Sequence, residues 1–145
     1  MSETSACLAV QVKDDSPETE IVPIGKKNKE LGARGEISAA WYLRRHEYVI
    51  LDTNWRCSYG EVDIVAMDRD CLVFVEVKTR SSFEQGFPCE AVTKKKRRKY
   101  ENIALAYLVC HDFSDLPMRF DVVDVVKLDT DRCAIKHHVN AFGVA

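Results

Sequence analysis

Two short segments hold side chains whose types and spacing suit hydrolysis of a phosphodiester bond. In Leu72-Val73-Phe74-Val75-Glu76-Val77-Lys78, the period of two puts Leu72, Phe74, Glu76 and Lys78 on one face, which changes from hydrocarbon to charge along the strand. The segment before it runs the other way: Glu61, Asp63, Val65 and Met67 share a face, acids first. If the two form a hairpin with a two- or four-residue loop, Asp63 faces Glu76 and Glu61 faces Lys78, with opposed Cβ atoms about 5 Å apart. Two carboxylates so placed on a half-buried sheet repel and must be compensated. A divalent hard cation does this, because Mg²⁺ takes one or two carboxylates and completes its shell with water and phosphate oxygens. Lys78 would then hold a water or phosphate oxygen and balance developing negative charge. The tripeptide Glu-x-Lys alone is weak evidence, since this composition yields about one by chance. A solvated ion pair at a strand end, worth at most about 1 kcal/mol, has the same pattern.

Three further features point to the same place. Glu36 lies in line with Ala33, Ala40 and Leu43 on a helical pattern, an acid beside an apolar stripe. Gly32 and Gly35 flank it, each costing about 1 kcal/mol against alanine in a helix, and they signal a close approach or a frayed first turn. The run Lys94-Lys95-Lys96-Arg97-Arg98-Lys99 opens a second helix, where the macrodipole disfavours cations by a few tenths of a kcal/mol each, so a polyanion is the fitting partner. Extending the apolar stripe back from Tyr100 turns Lys96 and Arg97 toward the sheet, and Lys94, Lys95 and Arg98 outward. That helix begins near the carboxyl end of the Glu76 strand, where Arg80 also lies. Tyr59, on the turn before Glu61, offers a ring for a base.

The elements that must position these groups are legible from period and breakers. A helix is expected from Asn28 to about His46, with a stripe of Ala33, Ile37, Ala40, Trp41 and Leu43. Strands follow at Tyr48 to Cys57, Glu61 to Met67 and Cys71 to Thr79, separated by Ser58-Tyr59-Gly60 and Asp68-Arg69-Asp70. A loop with Gly86 and Pro88 leads to a helix from about Thr93 to Cys110. Arg119 to Leu128, nearly continuous in valine, reads as a strand buried on both faces, and Ala134 to Val139 as a last one. The right-handed crossover rule makes the fourth strand parallel to the third. Residues 1–27, with mixed charges, Pro17, Pro23 and Gly25, read as a flexible tail before a single domain over 28–145.

Composition bounds the rest. A chain of 145 residues, 46% apolar and 30% charged, fits one domain and is neither a membrane protein nor a disordered one. No secretory signal pattern is present, so a cytoplasmic location and no membrane partner are expected. A net charge of −2 means that a polyanion would be held by a local patch. The six cysteines are never closer than 14 residues, which removes the close pairs of zinc ribbons and redox dithiols and leaves free thiols as the expectation. His137 and His138 are adjacent, so a strand sends them to opposite faces, and no histidine metal site follows.

Taken together, Gly35-Glu36, Asn54-Trp55-Arg56-Cys57, Gly60-Glu61-Val62-Asp63, Phe74-Val75-Glu76-Val77-Lys78-Thr79-Arg80, Arg119-Phe120-Asp121-Val122-Val123 and the closing His137 to Phe142 resemble the YraN family of small bacterial proteins. The resemblance runs from about Leu31 to Phe142. It implies an α/β, restriction-endonuclease-like three-layer fold, similar to that of archaeal Holliday-junction resolvases. Its mixed central sheet would follow the order helix, three strands, helix, strand, strand. It further implies Asp63 and Glu76 as ligands of Mg²⁺ or Mn²⁺, Lys78 as the group that orients or activates water, and Glu36 completing the acid cluster. Relatives commonly carry Gln near Arg97, where this chain is unusually basic. The expectation is therefore a metal-dependent endonuclease acting on nucleic acid, DNA before RNA, with branched or damaged structures among its expected substrates. Arg80, Lys95, Lys96, Arg97 and Arg98 would be on phosphates, with Glu61 and Tyr59 as weaker candidates. The alternatives are a non-catalytic nucleic-acid-binding accessory protein of the same fold, and a domain whose basic helix contacts an acidic protein.

Overall fold

The computed structural model describes residues 8–10, 19–24, 31–81, 93–113 and 115–142. Its elements are β1 (Leu8–Val10), β2 (Thr19–Pro23), α1 (Leu31–Arg45), β3 (Val49–Cys57), β4 (Gly60–Asp68), β5 (Cys71–Arg80), α2 (Lys94–His111), β6 (Met118–Lys127) and β7 (Arg132–His138). The valine-rich β6 is the middle of a seven-stranded sheet of order β1-β2-β7-β6-β5-β4-β3. It runs parallel to β5, with Glu76 beside Val122 and Lys78 beside Asp124, and antiparallel to β7. The mixed α/β architecture and the parallel crossover agree with the three-layer fold expected from sequence.

Among the described residues, each face of the sheet is covered by one helix. On one side Ala39, Tyr42 and Leu43 of α1 pack on Ile64, Ala66, Val73, Val75, Val123, Val125 and Ile135. On the other, Tyr100, Ile103, Ala104 and Tyr107 of α2 pack on Val65, Leu72, Phe74 and Val122, with Phe142 closing the end. Alternation along β5 explains the division, since Val73 and Val75 serve one core and Leu72 and Phe74 the other. α2 starts at Thr93, whose hydroxyl accepts from Lys96 N–H at 3.1 Å, and stops at Asp112 in the left-handed region.

Two expectations are corrected. The stretch read as a flexible tail contains β1 and β2. β2 pairs antiparallel with β7, Val22 is fully buried, and Ser38 Oγ donates to the Pro23 carbonyl at 3.0 Å. The pairing is non-local, so no feature of residues 19–23 by themselves reveals it. The apolar stripe of α1 is also rotated. Arg34, Gly35, Ser38 and Ala39 are buried with Ala40, Tyr42 and Leu43, while Ala33 and Ile37 are exposed. The cause is Gly35: a Cβ there would stand 2.9 Å from Thr79 Cγ2 and nearer still to Thr79 Oγ1, so the bare backbone lets α1 settle onto the end of β5. Residues 28–30, Gly86, Pro88, Cys7 and Cys89 lie outside the described residues; Cys57, Cys71, Cys110 and Cys133 are free thiols.

Candidate active site

The hairpin of β4 and β5 has the expected register, Ile64 facing Val75 and Asp68 facing Cys71, but the backbone ladder stops at Ile64 and Val75. Beyond that pair the strands separate. Asp63 Oδ2 accepts from Val77 N–H at 2.8 Å, taking over a donor that the lost ladder would have left unpaired. On its other side, the β3 ladder steps from Thr53 and Ile64 to Trp55 and Val62, skipping Asn54 and Asp63. Asn54 is in the left-handed region at φ 52°. The side-chain alternation slips at the same place in both strands: Ile64 belongs to the α1 core and Val62, two residues away, to the α2 core. Asp63 therefore sits in the split of the sheet, where groups from both faces can approach it.

They do. From the α1 side comes Glu36, brought close by the Gly35 contact; its Oε1 accepts from Asn54 Nδ2 at 3.0 Å. From the α2 side come Glu76 and Lys78, both largely buried, with Lys78 Nζ 3.5 Å from Glu76 Oε2. Lys96 Nζ reaches the same oxygen at 3.1 Å. The other oxygen, Glu76 Oε1, is buried with no hydrogen-bond partner. Burial pushes the Asp63 carboxyl up to about 6; the Val77 N–H opposes this, and the carboxylates of Glu36, Glu76 and Glu61 add to it. Tyr100, beneath the site, has its phenol held well above the usual range by burial and then by Glu76 and Asp63.

Asp63, Glu76, Lys78 and Glu36 are thus one electrostatic cluster. Among the described residues no group of three or more His, Cys, Asp and Glu side chains stands close enough to hold an ion alone. Mg²⁺ does not require one, because two carboxylates with waters and phosphate oxygens suffice. The donor set fits such an ion in charge and hardness, and the unpartnered Glu76 Oε1 is the atom such an ion would satisfy.

The remaining candidates divide. Glu61 is drawn away from β5 and pairs with Arg56 of β3, Nε to Oε2 at 3.5 Å. Tyr59 is exposed on the turn, next to Gly60, over which the Lys99 side chain lies: a Cβ on Gly60 would be 2.7 Å from Lys99 Cε. Lys95 and Arg98 point to solvent, whereas Lys96 and Arg97 turn inward. Arg97 donates to the Phe142 carbonyl and anchors the C-terminal turn. Arg80 is half-buried at the end of β5, about 13 Å along the strand from Glu76.

Two residues near the site escaped the sequence reading. Asn54 holds Glu36, and its cue was an asparagine inside a strand, the residue type that best tolerates the left-handed region. Asp124, fully buried beside Lys78 in the register, takes His138 Nε2 at 2.8 Å, while its Oδ1 has no hydrogen-bond partner. An acid within Val122-Val123-Asp124-Val125-Val126 was the available signal. His137 and His138 do point to opposite faces, toward Asp121 and Asp124 respectively.

Comparison with known proteins agrees with the resemblance. The family model described as "Uncharacterised protein family UPF0102", the YraN family, matches residues 35–125. A UPF0102 protein of Geobacter sulfurreducens is 48% identical over 127 residues, covering 86% of this chain and 99% of the relative. One from Clostridioides difficile is 43% identical over 79% of this chain and 98% of its own length. One from Clostridium acetobutylicum is 41% identical over 81% and 97%. With a match spanning the helix that carries Glu36, the split that holds Asp63 and the strand with Glu76 and Lys78, this chain belongs to the UPF0102 family.

Proposed function

We propose that this protein is a Mg²⁺- or Mn²⁺-dependent endonuclease that hydrolyses phosphodiester bonds in nucleic acid, DNA before RNA, in the cytoplasm. The observation that carries the reading is the buried, unpartnered Glu76 Oε1 in a cluster with Asp63 and Lys78. Gathering like charges in a sheet split costs stability, and a cation-dependent hydrolase is the use that offsets the cost. Bound by Asp63 and Glu76, the cation would neutralise phosphate charge and acidify a water.

This chain's own groups supply the rest. Lys78 orients the attacking water and stabilises charge on the phosphate oxygens. Glu36, held by Asn54, completes the acid cluster from the α1 side. Lys95 and Arg98, exposed on the first turns of α2, contact phosphates, with Arg80, Lys96 and Arg97 extending the positive edge. Tyr59 offers a ring to a base, and Glu61, paired with Arg56, borders the cluster.

A second reading, a non-catalytic nucleic-acid-binding accessory protein, is favoured by one contact: Lys96 Nζ lies 3.1 Å from Glu76 Oε2 and already neutralises part of the charge a metal would. A cleavage assay with Mn²⁺ on single-stranded, duplex and branched DNA, with RNA counterparts, separates the two. The endonuclease reading expects cleavage that drops at least about 100-fold in Glu76→Ala and Lys78→Ala. Salt-sensitive binding without cleavage leaves the accessory role, and undiminished cleavage in both variants removes this site from the chemistry.

A further inference from the structure

The exposed face of α1 forms one wall of a groove that leads from the acid cluster. The groove has a volume of about 330 Å³ and is lined along the helix by Ala33, Glu36, Ile37, Ala40 and Arg44, with Asn54 on the opposite wall. The helix positions recur at spacings of three and four, so the groove follows one stripe of α1 for about 16 Å. Its chemistry is graded. Glu36, tied to Asn54, stands toward one end, and the Arg44 guanidinium at the other. Between them Ile37 is 42% exposed, flanked by two alanines that leave the space open. Ala33 and Ile37 are positions that the sequence pattern assigned to the core and that the structure leaves exposed.

An apolar wall ending in a cation suits a base with its phosphate, since extruded or unpaired bases pack on apolar side chains while guanidinium groups take phosphates. The volume accommodates about one nucleotide, at the low end of ordinary ligand pockets, and is far too small for two paired strands. Asn54 spends an amide hydrogen on Glu36, and its Oδ1 can accept from a base or sugar.

We propose that this groove binds one unpaired nucleotide of the substrate strand next to the scissile phosphate, with its base on Ile37 and its neighbouring phosphate on Arg44. The substrate is then a nucleic acid with a single-stranded segment at the cut, such as a flap, gap or branch point, and not an uninterrupted duplex. The inference rests on the endonuclease reading for the identity of the strand but is tested by binding alone.

The test measures anisotropy of labelled single-stranded, flapped and continuous duplex DNA in EDTA, where metal-dependent hydrolysis is off, for the native chain, Ala33→Trp, Ile37→Ser and Arg44→Gln. All three positions are exposed, and thermal melts verify that each variant folds. The native chain is expected to bind flapped and single-stranded DNA about tenfold more tightly than duplex, and each variant to lose most of that preference with duplex affinity little changed. Equal affinity of the native chain for all three forms, or a preference unaltered in every variant, overturns the groove. A parallel Mn²⁺ cleavage arm keeps the two ideas apart. Absence of cleavage with the binding preference intact defeats the endonuclease reading and upholds the groove. Cleavage whose flap preference no variant shifts does the reverse.

Discussion

The parallel pair β5 and β6 carries a charged cluster at each end, and the two are built on opposite rules. At the start of the pair, Arg119 donates to Asp121 at 3.0 Å, to Asp68 at 3.0 Å and to the Tyr48 hydroxyl at 2.7 Å. Asp121 also bonds His137 Nε2 and Asn140 N–H, each at 2.8 Å. Cation and carboxylate alternate, and both Asp121 oxygens are bonded. Burial alone would push the Asp121 carboxyl up, but the bonds from His137, Arg119 and Asn140 hold it below the usual range. At the other end, Glu36, Asp63, Glu61 and Glu76 are electrostatic neighbours, Glu76 Oε1 has no partner, and Asp63 is pushed the opposite way. The first cluster fastens the α1–β3 connection, the β4–β5 turn and the C-terminal turn to the sheet. The second leaves charge for something else to satisfy, which is why we read it as functional.

The sharpest way to break this contrast is to remove one acid from each cluster. Asp121→Ala leaves buried His137 and the Asn140 N–H without their acceptor and removes one of the two carboxylates on Arg119, so it is expected to destabilise the fold by about 3–5 kcal/mol in urea unfolding, whereas Glu76→Gln relieves repulsion with Asp63 while weakening its Lys78 and Lys96 pairs and should leave stability about unchanged. Equal losses would erase the distinction. Metal addition should act only on the unmatched end: Mn²⁺ at about 100 times its Kd is worth about 2.7 kcal/mol and should raise the melting temperature of the native chain but not of Asp63→Ala. A shift preserved in that variant would place the ion elsewhere.

The pH dependence sharpens the matched end. Because the folded Asp121 pKa is depressed, its contribution is fully present above the unfolded value of about 3.9 and is lost as pH falls through the folded value. The native chain should therefore lose stability in acid more steeply than Asp121→Asn, and parallel acid titrations of the two would contradict the role. Gly35→Ala tests what brings Glu36 in: its methyl meets Thr79, so a loss of about 1–3 kcal/mol is expected, partly recovered in Gly35→Ala/Thr79→Ala, which removes both close atoms, if the contact is the cause. The smallest effect concerns the basic helix. Lys95→Ala should lower the slope of log affinity against log salt for DNA by about 1, and an unchanged slope would remove Lys95 from the phosphate contacts.

How much of this was readable beforehand follows from the range of the interactions. The strand bearing Glu76 and Lys78, the inward turn of Lys96 and Arg97, and the β4–β5 register all follow from periods of two and 3.6 within one or two neighbouring elements. The slip at Asn54 and Asp63 does not, because it depends on β3 and β5 breaking their ladders with β4 at the same residue. Glu61 shows the limit. Its expected facing of Lys78 presumes that the hairpin continues, and once the strands part it pairs with Arg56.

By itself, then, the sequence determined the element order of the mixed α/β fold from α1 onward, the parallel crossover, and which residue types gather at the end of β5. Tertiary structure decided what no local period encodes: that β2 joins the sheet beside β7, that a glycine against Thr79 turns Ile37 out and Glu36 in, and that the split between β4 and β5 lets acids from both faces meet at Asp63. The reason is physical. Periodicity records which side of an element is buried on average, whereas a close approach or a broken ladder depends on atoms far away in the chain.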